Sequence, residues 1–139
     1  MSNLTYSVTL DESNDCPSES RVLTLVSNVF SGEQIEWSDI SIVLTDHSTV
    51  LDLNKNWLEH DYHTDVISFL LEEDRQSLEG EIYVDVDTAR ERHVEFGTTV
   101  IQELERYIVH GLLHLAGYDD ASEEERGHMK TLEDQYLSR

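Results

Sequence analysis

Cysteine, proline and lysine are nearly missing from this chain. Its one cysteine among 139 residues, Cys16, rules out an intrachain disulfide. The fold must therefore stand on packing, as suits a reducing compartment. One proline and six glycines leave no linker-like stretch, and no internal repeat is visible. No apolar run approaches the roughly 20 residues needed to span a bilayer. The opening MSNLTYSVTL has neither the basic nor the apolar region of a secretory signal. These absences lead to the expectation of a soluble, cytoplasmic protein with no membrane partner. Basic residues are scarce too. Nine stand against thirty acids, for a formal net charge of −21, and only Lys55 and Lys130 are lysines. That balance argues against broad contact with nucleic-acid phosphates. It also fits a salty host cytoplasm, because the Debye length shrinks to about 3 Å at 1 M salt and self-repulsion is screened.

What is present is regular patterning. Hydrophobic residues make up 38% of the chain, and their spacing is periodic almost throughout. Leu4, Tyr6, Val8 and Leu10 alternate with polar residues as in a strand. Pro17 suits a first helical turn, and Val22, Leu25, Val26, Val29 and Phe30 share a helical face that Gly32 closes. Residues 40–45 read as a second strand, with Asp46 capping a short helix carrying Val50, Leu51 and Trp57. Residues 64–71 read as a third strand, the polar LEEDRQSLEG as a loop, and 81–86 as a fourth strand. Asp87 is placed to cap a helix running to Phe96 and stopped by Gly97. Thr99 with Gln102 forms a capping-box pattern. It opens a long helix bearing Ile101, Leu104, Ile108, Leu112 and Leu115, which Gly117 ends. Ser122 with Glu125 repeats the pattern before a last helix with Met129, Leu132 and Tyr136. Strands alternating with helices predict one α/β (α+β) domain over residues 1–139. We expect a mixed, mainly parallel four-stranded sheet packed by helices.

The chemistry concentrates in HGLLHLAGYDD, residues 110–120. His110 and His114 lie four apart on the long helix, so both rings project from one face. Such a pair can share a metal ion, although the spacing alone is a weak signal. Gly117 lets the chain turn back, and Asp120, three residues later, is placed to supply a third ligand. Two nitrogens and one carboxylate would leave a coordination position for water, as in catalytic zinc sites. Zinc proteases carry a glutamate as general base after the first histidine; Gly111 stands there, so that chemistry lacks its base. A glycine inside a helix costs about 1 kcal/mol relative to alanine. Close approach of a substrate backbone is one reason to accept that cost.

Two blocks resemble the YbeY family of bacterial rRNA-maturation endoribonucleases. One is Leu53-Asn54 followed by Asp61 and then Thr64-Asp65-Val66-Ile67-Ser68-Phe69. The other runs from Gly80 through the long helix to Asp120, with H-G-x-L-H-L-x-G-Y-D at its core. The likeness covers roughly residues 40–137. It departs from the common family pattern at three positions. Asp120 replaces a third histidine ligand, Leu58 replaces an arginine expected to meet RNA phosphate, and His63 replaces a proline. The resemblance implies a metal-dependent, single-strand-specific endoribonuclease acting in small-subunit rRNA maturation and ribosome quality control. One zinc ion per chain, or another divalent metal, would sit on His110, His114 and Asp120. Its partners would be precursor rRNA and the small ribosomal subunit or its proteins. Zinc lowers the pKa of a bound water toward about 7, and no side chain is assigned a catalytic role beyond that water. Either this hydroxide or the ribose 2′-OH could attack.

A non-catalytic ribosome-assembly factor with a structural metal is the alternative reading, and a small-substrate hydrolase is a third. Asp119 is a candidate acceptor behind one of the histidines, and Asp65 a candidate neighbour of the site. His47, His60, His93 and His128 have no partner at ligand spacing, Cys16 reads as an incidental thiol, and Trp37 and Trp57 read as packing residues.

Overall fold

The computed structural model describes residues 2–10, 14–57, 65–74 and 77–138. Leu58, His60, Asp61, His63 and Thr64 lie outside them, so the departures at 58 and 63 have no structural counterpart here. Among the described residues, the elements in order are β1 (Asn3–Val8), α1 (Glu19–Gly32), β2 (Trp37–Thr45), α2 (His47–Trp57), β3 (Val66–Asp74), β4 (Ser77–Asp85), α3 (Val86–Arg92), α4 (Val100–Leu115) and α5 (Glu123–Leu137). The sheet order is β1-β2-β4-β3. β1 and β4 run parallel to β2, while β3 is antiparallel to β4. The mixed, mainly parallel α+β architecture expected from the sequence is therefore the one adopted. Among the described residues, no helix is long and apolar enough to cross a membrane.

Strand alternation decides which face is covered. Ile40, Ile42 and Leu44 of β2 and Leu78, Ile82 and Val84 of β4 are buried on one face. They join Val22, Leu25, Val26, Val29 and Phe30 of α1 and Leu104, Ile108, Leu112 and Leu115 of α4 in a single core. Ile101, expected on the same stripe, is exposed at the start of α4. Gly111 explains how closely α4 approaches the sheet. A Cβ there would fall 2.9 Å from Ile82 Cγ2 and 3.1 Å from both Ser68 Oγ and Val66 Cγ2. The missing side chain thus serves helix–sheet packing and not substrate approach. Ser68 Oγ also donates to the Gly111 carbonyl at 2.9 Å.

The caps predicted for α4 and α5 are both formed: Thr99 with Gln102, and Ser122 with Glu125. Asp46 accepts from Thr49 N at 2.7 Å, as a cap of α2 should. Three local expectations are corrected. Pro17 precedes α1, which Ser18 caps. The polar stretch read as a loop is a hairpin: β3 extends to Asp74, which pairs with Ser77 at the start of β4. α3 is capped by Asp85 and ends at Arg92, so Asp87 is not its cap and the helix stops short of Phe96.

Candidate metal centre

α4 crosses the sheet and carries His110 and His114 on the side facing α5. Each imidazole is fixed through its Nδ1. His110 Nδ1 lies 2.7 Å from Glu133 Oε2 on α5, and His114 Nδ1 lies 3.0 Å from the Tyr118 carbonyl. Both Nε2 atoms therefore point into the same space, 3.0 Å apart. Gly117 adopts φ +107°, a conformation other residues rarely take. That turn brings Asp120 back to the helix, with Oδ2 3.1 Å from His110 Nε2 and Oδ1 3.5 Å from His114 Nε2. Donors held by bonds of about 2.0–2.1 Å at tetrahedral corners would be roughly 3.3 Å apart. The observed separations bracket that value, so the three side chains fit a small divalent ion. Among the described residues, they form the group of three ligand-type side chains close enough to hold one.

The surroundings keep this geometry rigid. Glu133 is buried, and its second oxygen accepts from Arg106 Nη1 at 2.9 Å. Burial by itself would lower the pKa of His110, but the hydrogen bond to Glu133, with the charges of Glu133 and Asp120, outweighs it and the net shift is upward. The Tyr118 hydroxyl donates to Glu33 at the end of α1, as does that of Tyr136, tying the turn and α5 to the first helix. Arg126 donates to the carbonyls of Asp120 (3.4 Å) and Ala121 (3.1 Å). Asp119, considered as an acceptor behind a histidine, instead accepts from Asp120 N at 2.8 Å and shapes the turn.

The acceptor behind His110 is Glu133, which the sequence reading missed. Its only signal was an acid among apolar positions: Glu133 follows Leu132 and lies four residues after Met129, on the buried side of α5. Asp65 does reach the neighbourhood, since it lines the same cleft as His110 and Asp120. His93 Nδ1 closes a turn on the Thr98 carbonyl at 2.9 Å, and the His128 ring packs edge-on against Tyr118. His47 has a carboxylate partner, Asp85, at 2.7 Å. Trp37 packs against Phe30, as a packing residue should. Cys16 lies among residues packed against the core, apart from the histidines.

The cleft beside these side chains has a volume of about 680 Å³. α4 lies along it with Glu103, Arg106, Tyr107 and His110, and α5 adds Arg126, Met129, Lys130 and Glu133. The end of α3 and the turn after it add Arg92, Phe96 and Thr98. An open cleft whose wall includes the His110 imidazole and the Asp120 carboxylate, with His114 directly behind them, is suited to a metal-assisted reaction on a ligand that approaches from solvent.

The sequence profile described as Endoribonuclease YbeY matches residues 9–139. A protein of Salinibacter ruber named Endoribonuclease YbeY is 48% identical over 122 residues, covering 82% of this chain and 78% of its own. A protein of the same name from Cytophaga hutchinsonii is 32% identical over 117 residues, covering 84% and 82%. The solution structure of TM1509 from Thermotoga maritima superposes with a TM-score of 0.65 at 25% identity, covering 97% of this chain and 87% of that one. The chain belongs to the YbeY endoribonuclease family.

Proposed function

We propose that this protein is a metal-dependent endoribonuclease that cuts single-stranded RNA during maturation of small-subunit ribosomal RNA. The observation that carries the proposal is the convergence of His110 Nε2, His114 Nε2 and the Asp120 carboxylate within 3.0–3.5 Å at the edge of an open cleft. His110, His114 and Asp120 hold the ion, with zinc the best match to two imidazoles and one carboxylate, though other divalent ions suit the same donors. When bound, it supplies Lewis-acid neutralisation of phosphate charge and lowers the pKa of water toward neutrality. The protein's own contribution is orientation. Glu133 and the Tyr118 carbonyl hold the two rings so that Nε2 is the free nitrogen in each, which is what outer partners of metal-bound histidine do. Asp120 contributes one negative charge, where a third imidazole would contribute none.

The test is cleavage of a single-stranded RNA by metal-loaded protein at several salt concentrations, with metal content measured in parallel. The expected result is close to one bound metal per chain and cleavage that stops on chelation and returns on reloading. Less than about half an equivalent of metal after chelator-free purification would sink the three-ligand site. The net charge of −21 favours a second reading, a ribosome-assembly factor that meets protein or a limited stretch of rRNA. RNA bound without being cut, with His114→Ala and Asp120→Ala binding as wild type does, would favour that reading.

A further inference from the structure

In a chain with thirty acids and nine bases, charge in the cleft is balanced. Its lining contains Arg92, Arg106, Arg126 and Lys130 against Asp65, Glu103, Asp120 and Glu133. The four bases are not equivalent. Arg106 is held by Glu133 and Asp134, and Arg92 stands 4.0 Å from Asp65. Arg126 and Lys130 have no carboxylate partner among the described residues, although acids outnumber bases more than threefold in the chain. They lie four apart on α5, so both project from one face of the helix. Arg126 is in the first turn of that helix, where a cation opposes the helix dipole. Arg126 donates only to the backbone carbonyls of Asp120 and Ala121, so neither cation is neutralised by a carboxylate among the described residues.

Two other groups in the same cleft are also unsatisfied. Tyr107 Oη is buried and lacks a hydrogen-bond partner among the described residues. Leaving a buried hydroxyl unpaired costs about 1–3 kcal/mol, so a native example calls for a reason. Burial, and then the charges of Asp65 and Glu103, raise its pKa, which keeps it a donor. Phe96 is 53% exposed, with the Arg92 guanidinium over its ring at 5.1 Å. An aromatic ring left in water beside a cation is a platform on which an unpaired base can stack.

We propose that this cleft is the RNA-binding site, in which Arg126 and Lys130 hold backbone phosphates, Tyr107 Oη donates to a phosphate or ribose oxygen, and Phe96 stacks a base. The proposal rests on the ribonuclease reading and adds the residues that hold the strand. It also reconciles an acidic protein with an anionic substrate. The acids repel nucleic acid over most of the surface, and the cleft is where acids and bases are equal in number and two cations have no carboxylate partner among the described residues. Binding is then confined to a strand narrow enough to enter, which favours single-stranded over duplex RNA.

The experiment measures binding of a short labelled single-stranded RNA to metal-loaded protein by anisotropy, across a salt series, with cleavage of the same RNA on a gel. Lys130→Ala is expected to weaken binding and to make the plot of log affinity against log salt shallower by about 0.7, the value for one phosphate on a single strand. Lys55→Ala, which removes the same charge outside the cleft, is expected to change neither. Tyr107→Phe is expected to bind RNA about five-fold more weakly, the loss of one ordinary hydrogen bond, while its melting temperature stays level or rises. A purely structural Tyr107 would move stability and leave binding alone. Phe96→Ala is expected to lower affinity about ten-fold with little change in salt slope. Wild-type affinity and slope in all three cleft variants, in a protein that cleaves RNA, would overturn the binding site and leave the ribonuclease reading standing. Wild-type protein that neither binds nor cuts RNA would overturn both.

Discussion

Among the described residues, two histidines lie 2.7 Å from a buried carboxylate, and they have different fates. His110 on α4 meets Glu133, and His47 at the start of α2 meets Asp85. In both, the carboxylate raises the imidazole pKa against the opposing effect of burial. The difference is what surrounds the rest of the ring. His110 Nε2 faces a second imidazole and a third donor at 3.0 and 3.1 Å. The His47 side chain is 44% exposed, and His47 belongs to no three-ligand group among the described residues. Asp85 moreover has work of its own, accepting from Thr88 N and Thr88 Oγ1 as the cap of α3. A histidine–carboxylate pair by itself orients a ring. A candidate centre arises where a helix repeat, a glycine turn and a neighbouring helix bring further donors to the same point.

The largest expected effects break one member of the comparison and spare the other. His114→Ala and Asp120→Ala should each reduce RNA cleavage by more than about a hundred-fold, the upper end of what losing an outer partner of a ligand costs. Metal content should fall with it. His47→Gln should leave both unchanged. Cleavage by metal-loaded Asp120→Ala at the wild-type rate would remove Asp120 from the centre.

The two carboxylates should separate next. Glu133→Gln keeps the volume but loses the charge that orients His110 and pairs with Arg106. We expect metal affinity to fall roughly 10- to 100-fold, measured by chelator competition. Asp85→Ala should leave metal affinity intact and instead destabilise the fold by about 2 kcal/mol. It removes a helix cap worth about 1 kcal/mol and the buried hydrogen bond from the Thr88 hydroxyl. Equal effects of the two changes on metal binding would mean that the distinction between the regions is wrong.

This contrast also marks what was legible in the sequence. The i, i+4 histidines, the glycine turn and Asp120 are local, lying within eleven residues, so spacing carried them. Glu133 was not legible, because its contact with His110 depends on how α5 packs on α4. Neither helix encodes that packing alone. The caps at Thr99 and Ser122 were readable for the same local reason. The β3–β4 hairpin was not: residues 71–80 are polar, and pairing between neighbouring strands overrode their weak strand propensity. Gly111 stands out in the sequence, where substrate approach is one candidate reason for it, but only the sheet beneath α4 reveals the close contact with Ile82. The cleft cations are scattered over three helices and appear as a group only in the fold.

A smaller effect concerns the rest of the surface. Outside the cleft, acids predominate, and their repulsion opposes the compact state. Going from dilute buffer to molar potassium chloride should stabilise the fold by at least about 1 kcal/mol, roughly 3–5 °C in melting temperature for a domain of this size. Because the cleft is balanced, Lys130→Ala should not abolish that gain. A melting temperature independent of salt would show that the acid excess is not a burden on folding.

The smallest effect belongs to His47, the partly exposed member of its pair with buried Asp85. The pKa of His47 is raised in the folded protein, first by its hydrogen bond to Asp85. The protonated ring is thus favoured in the folded state. Its contribution is fully present below the unfolded value of about 6.5 and is lost as pH rises through the higher folded value. With the side chain 44% exposed, solvent screening limits that contribution to less than about 1 kcal/mol. The melting temperature of the wild type should therefore exceed that of His47→Gln most clearly near pH 6, and the gap should shrink toward pH 9. A gap that widens with pH would mean that the neutral ring is the form the fold prefers, and that His47 serves Asp85 as a neutral hydrogen-bond donor rather than as a charged partner.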